Sequence, residues 1–347
     1  EYGGAGADCL TLCIAGEELA VGDLGLAVIF DQTWKFTHIL TESASEEQRN
    51  RYLPRFMEDD TFLLALGMTE EIGGSDHLLP YNEPGAGART SAVRARRAGR
   101  DGGVINGRKI YIGNGGAAKL HTILARTDPT KGGLEGLTAF LVELGTPGFT
   151  VGRIEDKLGN RLEQNAELIF EDCWVPAENL LGGESQAWGS VGGPRWFARS
   201  NAEAGATVLG VGRAALEDAL AYAKQRVQGG KPIIGHQAIK LMLADMLIQI
   251  RAARALIWQA AWMVDHPEHL DPTMGQTAKI FAAEAAVQVS KMGIEIFGGA
   301  GIMRDSAAEK HLRDAVVFLH SDGANQILRL RIGNALEVAV TPLFGIG

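Results

Sequence analysis

The apolar pattern changes period twice along this chain, and no fold made of helices alone or strands alone accommodates both changes. Residues 7–30 set apolar positions between Glu17, Glu18 and Asp23 in the manner of a helix. Ser45, before Glu46 and Glu47, is a capping signal that starts a short helix over 45–56. From 62 to 175 the chain breaks into short runs divided by Gly, Asp and Asn: FLLALGM, SAVRARRAG, GGVINGRKIYIG, HTILART, LTAFLVE, FTVGRI and AELIFEDCWV. Runs of this length and spacing predict a compact antiparallel barrel or sandwich. PYNEPGAGART, residues 80–90, is a loop by composition.

Near residue 196 the helical period returns. AEAGATVLGVGRAALEDALAYAKQR predicts one long helix, and HQAIKLMLADMLIQIRAARALIWQAAWMVD a second, stopped before Pro267. PTMGQTAKIFAAEAAVQVSKMGIEIFG predicts a third with Pro272 near its start. AAEKHLRDAVVFLH and ANQILRLRIGNALEVAV supply a fourth and a fifth. Long helices joined by short loops make a bundle. The second is apolar on nearly all sides, so we expect burial on more than one face and oligomerisation through the bundle. The fold class expected is multidomain α+β: an N-terminal helical domain over 1–62, a middle β-barrel over 63–182 and a C-terminal helical bundle over 183–347.

Composition narrows the function classes. A net charge of −9 lacks the basic bias of a nucleic-acid binder. The 45 glycines in 347 residues are roughly twice the usual share of ~7% and imply many turns and close backbone approaches. Cys9, Cys13 and Cys173 are odd in number and form no CxxC, which argues against a disulfide framework or a structural zinc and for a reducing compartment such as the cytoplasm. The longest apolar region, 238–264, carries Lys240, Asp245, Arg251 and Arg254, so it is no membrane span. No signal peptide is visible over 1–30. The chain opens on EYGGAGADCL without Met, and we expect residues to precede it. No GxGxxG fingerprint, P-loop, HExxH or GxSxG is present, and no metal site is expected.

FLHSDGANQIL, residues 318–328, poses the functional question. Ser321, Asp322 and Gly323 are turn or cap chemistry before an apolar helix face. Asp322 is either a helix cap or the base of an active site.

Five stretches together resemble the acyl-CoA dehydrogenase family of flavoproteins. LGMTEEIGGSD (66–76) is similar to the family's TEPxxGSD loop, and INGRKIYIGNGGAA (105–118) to its NGxKxWITNG strand and turn. QRVQGGKPIIGHQAI (225–239) resembles ERxxFGxxIxxxQ, and EIFGGAGI (295–302) resembles QxxGGxGF. LRDAVVFLHSDGANQILR (312–329) resembles RDAxxxxIxEGTxxIxR. Order and spacing hold over 1–345. The resemblance implies FAD, an acyl-CoA substrate, a C-terminal four-helix bundle, a homotetramer or dimer of dimers, and electron-transfer flavoprotein as acceptor.

It also implies residue roles. Met68 and Thr69 would contact the isoalloxazine ring; Gly74 and Ser75 would meet the FAD phosphates. Tyr111 stands where the family has Trp beside the flavin; Ile112 follows it, and Gly113 stands where the family has Thr. Arg226, Glu295, Gly298 and Gly299 would reach the FAD of a neighbouring subunit, with Ala324 and Gln326 also against cofactor. Ser200, Asn201, Ser321, Gly323 and Arg329 would lie at the substrate. Asp322 matches the Glu of the EGT motif, which removes a proton from Cα while hydride leaves Cβ for flavin N5. Ser200 stands at the family's alternative base position and cannot serve; Glu203, three residues on, points elsewhere on the helix. Asn201 stands where the family commonly has Arg. Nitroalkane oxidases share the fold and use an Asp base with Arg and Ser, roles that Asp322, Arg329 and Ser200 can fill. A third alternative is a base-poor partner subunit that still binds FAD.

Overall fold

The computed structural model describes residues 2–79, 92–97, 102–131, 133–185, 187–191 and 193–338. One aspartate divides the helix expected over 7–30. Helix α1 (Cys9–Gly22) closes where the Asp23 N–H donates to the Leu19 carbonyl at 3.0 Å. Helix α2 (Leu24–Ser43) opens where Asp23 Oδ1 accepts from the Leu26 N–H at 3.0 Å. Asp23 is extended, so its short carboxylate serves as an N-cap and the axis turns there. Helix α3 (Glu46–Glu58) follows, with a reciprocal capping box between Ser45 and Gln48.

The strands are β1 (Leu64–Gly67), β2 (Arg94–Arg97), β3 (Gly102–Ile112), β4 (Leu120–Arg126), β5 (Leu137–Glu143), β6 (Phe149–Ile154), β7 (Ala166–Pro176) and β8 (Leu180–Leu181). They form an eight-stranded sheet in the order β6-β7-β3-β2-β4-β5-β8, with β1 added to β4. Pairing is antiparallel as expected, except that β1 and β2 run parallel to β4. Strand β4 is buried at every position, which explains why HTILART does not alternate. Its Leu120 and Leu124 face Phe36, Ile39, Leu40 and Tyr52 of the helices, whereas Ile123 and Ala125 face Ile105, Phe140 and Phe170 inside the sheet. The loop expected over 80–90 lies outside the described residues.

A short helix, α4 (Ala187–Val191), packs on β5 and α2, and the bundle contains α5 (Pro194–Gln225), α6 (Gln237–Asp265), α7 (Met274–Phe297), α8 (Ala307–Val317) and α9 (Asn325–Val338). A two-stranded hairpin, β9 (Val227–Gln228) and β10 (Lys231–Pro232), joins α5 to α6. Helix α5 tolerates its glycines because they are contact points. A Cβ on Gly210 would lie 2.3 Å from the Glu17 carbonyl, so only glycine lets α1 pack this closely. Helix α6 buries Met246, Ile250, Ala253 and Ile257 and leaves Leu241, Ile248, Trp258 and Trp262 exposed. Among the described residues no helix is long and apolar enough to cross a membrane.

Candidate active site

A cavity of about 660 Å³ lies where the N-terminal helices, the sheet and the bundle meet. Helix α2 presents Val28, Gln32, Lys35 and Phe36 to it, four positions on one helical face. Helix α5 presents Trp196, Phe197, Ser200 and Asn201 in the same way. The loop after β1 contributes Met68, Thr69, Gly74 and Ser75; the end of β3 contributes Tyr111, Ile112 and Gly113. The α8–α9 connection contributes Ser321, Asp322 and Gly323.

The loop after β1 is held by buried chemistry. The Ile110 N–H donates to the Thr69 carbonyl at 3.0 Å. Lys109 Nζ donates to Glu70 Oε1 at 2.6 Å and to the Met68 carbonyl at 3.0 Å, and Glu70 accepts from the backbone N–H groups of Ala92 and Val93. Burial pushes the Lys109 ammonium down to about 8, against the pull of Glu70.

Tyr111 is held at φ 59° and is 58% exposed at the cavity. An aromatic in the left-handed region, with its ring left open, fits the flank of a planar ring system. Gly74 adds an open approach: a Cβ there would meet nothing nearer than Thr69 Cγ2 at 3.6 Å. The residues present therefore fit a flavin. Gly113 has a local reason to be glycine. A Cβ would lie 2.7 Å from Glu163 Oε1, which accepts from the Asn114 N–H.

Asp322 does not cap α9. It sits three residues before that helix at φ 52°, and its carboxylate turns toward α2. Gln32 Nε2 donates to its Oδ1 at 3.5 Å, and Lys35 Nζ lies 3.4 Å from its Oδ2. The next residue, Gly323, is at φ 89°, and a Cβ there would press 2.9 Å against Leu328. Three side chains fasten this turn. Asn201 Nδ2 donates to the Asp322 carbonyl at 3.2 Å, so the residue standing in place of the expected Arg grips the backbone of Asp322. Ser75 Oγ accepts from the Ala324 N–H at 3.0 Å. Lys279 Nζ donates to the Phe318 and Gly323 carbonyls and to Asn325 Oδ1, at 2.7, 2.8 and 2.8 Å. Burial pushes Lys279 down to about 7, with Asp322 opposing; three acceptors match the three N–H groups of its charged form.

Behind Asp322 lies a cluster that the sequence did not announce. Lys35 and Asp31 are each 1% exposed and pair at 2.6 Å. Burial alone would lower the Lys35 ammonium, but Asp31, Asp322 and Glu203 outweigh it and hold the charge. Burial raises Asp31 to about 6, with the Asp322 charge adding and Lys35 opposing. Glu203 is raised to about 8 by burial and by Asp31, and neither of its carboxylate oxygens has a hydrogen-bond partner. Arg199 Nη1 lies 3.5 Å from Glu203 and donates to His38 Nε2 at 2.7 Å. The only available sequence signal was an Asp–Lys spacing of four inside an apolar helix.

Other residues singled out lie elsewhere. Arg226, Glu295, Gly298, Gly299 and Gln326 are exposed and not part of the cavity wall. Arg329 pairs with Glu284 at 2.7 Å and is likewise outside the wall. Asp322 and Ser200 line the cavity, and Arg329 does not.

Comparison with known proteins agrees with this architecture. Three consecutive domain descriptions match: "Acyl-CoA dehydrogenase, N-terminal domain" over 1–60, "middle domain" over 65–173 and "C-terminal domain" over 196–337. The short-chain specific acyl-CoA dehydrogenase of Megasphaera elsdenii is 38% identical over 348 residues, spanning 97% of this chain and 85% of that protein. The solved structure of butyryl-CoA dehydrogenase from the same organism superposes with a TM-score of 0.89 at 36% identity, covering 97% of this chain and 85% of that one. A structure described as PigA with FAD and proline gives 0.86 at 26% identity, covering 97% and 84%. The chain belongs to the acyl-CoA dehydrogenase family. This chain is an FAD-dependent oxidoreductase acting on the CH–CH bond of an acyl-CoA thioester.

Proposed function

We propose that Asp322 is the base that takes the α-proton of the bound acyl-CoA. One observation carries this: among the described residues, Asp322 is the carboxylate on the cavity wall that lacks a cation of its own. Glu155, Asp156 and Glu163 also line the cavity, but each has a dedicated partner: Arg153 at 2.8 Å, Arg161 at 2.6 Å and Lys157 at 2.7 Å. Asp322 shares Lys35 with Asp31 and keeps a side chain 16% exposed toward the cavity. A carboxylate so placed can accept a proton without breaking a matched ion pair. The backbone N–H of Asp322 hydrogen-bonds the thioester carbonyl in this reading and stabilises the enolate charge as it develops.

Met68, Thr69, Ser75 and Tyr111 would hold the FAD. When bound, it accepts the hydride that leaves Cβ. Apolar Phe36, Trp196 and Phe197 exclude water from the acyl group. An intact cavity with an ionisable group on its wall argues for a working subunit over a base-poor partner. Electron-transfer flavoprotein is the acceptor in this reading. The exposed apolar face of α6 supports a homo-oligomer, in which Arg226 and the Gly298–Gly299 turn extend to a neighbour's cofactor; a light-scattering mass well above the 37.0 kDa of one chain tests that.

The decisive measurement is anaerobic bleaching of the flavin by a panel of straight, branched and cyclic acyl-CoAs. Asp322→Asn should keep FAD bound and slow bleaching by ~10²–10⁴-fold. Bleaching by the variant at the parent rate would place the base elsewhere.

A further inference from the structure

We propose that Lys35 is a positioning residue for Asp322: its ammonium fixes the carboxylate at the cavity, and Asp31 sets how much of that charge Asp322 receives. This rests on the assignment of Asp322 as base. The geometry carries it. Lys35 lines the cavity and Asp31 does not, so the ammonium stands between the two carboxylates, 2.6 Å from one and 3.4 Å from the other. Gln32 repeats the bridge, with its Nε2 at 3.4 Å from Asp31 Oδ2 and 3.5 Å from Asp322 Oδ1. An aspartate has one methylene fewer than a glutamate, and its carboxylate here is reached by two donors from a single helix face.

A purely structural lysine would need only Asp31. The second contact makes Lys35, among the described residues, the nearest cation to the reacting carboxylate. The other charges around Asp322 do not replace it. On α7, Lys279 spends its donors on the Phe318 and Gly323 carbonyls and Asn325, and Glu284 pairs with Arg329. On α5, Arg199 serves His38 and Glu203. Across the cavity, Lys157 is paired with Glu163, and Glu155 and Asp156 with Arg153 and Arg161. An opposite charge at this range favours the ionised form of a carboxylate, and a like charge opposes it.

Two substitutions should therefore move the same reading in opposite directions. The probe is the rate of anaerobic flavin bleaching by a reactive acyl-CoA in a single turnover, followed against pH. Lys35→Met should shift the acid limb of that profile upward, and Lys35→Arg should restore it. Asp31→Asn, which frees Lys35 for Asp322, should shift the limb downward. Acid limbs that coincide in parent and variants, all retaining FAD, would overturn the proposal. If Lys35→Met fails to fold, Asp31→Asn decides alone: a lowered limb supports the clamp, and an unmoved or raised limb overturns it. Asp322→Asn run alongside separates the two ideas. Bleaching that survives in Asp322→Asn defeats the base assignment itself, whereas a dead Asp322→Asn with unmoved limbs defeats only the clamp.

Discussion

Glu70–Lys109 in the sheet and Asp31–Lys35 in α2 are both buried carboxylate–ammonium pairs with the same separation of 2.6 Å. Their surroundings differ. Glu70 also accepts two backbone N–H groups and Lys109 donates to the Met68 carbonyl, so the pair is held by further hydrogen bonds. Lys35 faces three carboxylates, those of Asp31, Asp322 and Glu203, and Asp31 Oδ1 and both Glu203 oxygens lack hydrogen-bond partners. The Glu70–Lys109 pair anchors a loop under the cavity. The cluster around Lys35 keeps carboxylate oxygens without hydrogen-bond partners. Hydrogen bonding, more than distance, separates the two sites.

Breaking the Glu70–Lys109 pair should give the largest loss of stability. Lys109→Met removes the ammonium 2.6 Å from the buried Glu70 carboxylate, and losing one partner of such a pair costs ~3–5 kcal/mol. Urea unfolding of the FAD-free protein measures it. A loss under ~1 kcal/mol would show that the pair is as dispensable as a surface one.

The cluster around Lys35 should respond in the opposite sense at Glu203. Its carboxyl is raised from 4.5 to about 8 in the folded protein. Below 4.5 both folded and unfolded chains hold the proton, and Glu203 contributes no pH dependence. Between 4.5 and about 8 the unfolded chain has released it and the folded chain has not, so stability falls as pH rises; above about 8 the fall is complete. Glu203→Gln should remove this slope and gain ~1–3 kcal/mol over the parent at the alkaline end. A gain that is equal at pH 4 and pH 8 would assign the effect to packing instead of ionisation.

These contrasts also mark what was legible in the sequence. The change from helical to strand period was legible because it reflects local geometry, and the runs around β4 and β5 sit where their patterns put them. The parallel partners of β4 were not, since pairing across the chain leaves no local trace. Asp23 read as an ordinary polar position in a helix, because a capping aspartate and a solvated one look alike until the axis turns. The loop at 66–76 and the turn at 318–325 were legible through their glycines and short polar residues. Asp31, Lys35, Glu203 and Lys279 were not: each is a single polar residue in a helix, and only the packing of α2, α5 and α7 makes a cluster of them. Arg329, expected at the substrate, pairs with Glu284, which lies 45 residues upstream on α7, a contact that leaves no local trace in the sequence.

The smallest expected effect belongs to a pair with the right geometry and the wrong environment. Arg55 Nη2 lies 2.8 Å from Glu143 Oε2, close to the spacing of the buried pairs, but the side chains are 49% and 36% exposed. Water and salt already stabilise both charges there, so bringing them together gains little. Arg55 is the wrong residue to remove, because its guanidinium also lies over the Phe62 ring, 5.5 Å from the centroid, and truncation would lose that contact as well. Glu143→Gln keeps the shape and leaves Arg55 on the ring. It should cost under ~1 kcal/mol, and the cost should shrink further in high salt. A salt-independent loss as large as that of Lys109→Met would mean that burial is not what divides strong pairs from weak ones in this protein. The contrast between Glu70–Lys109 and the Lys35 cluster would then have to rest on hydrogen-bond count alone.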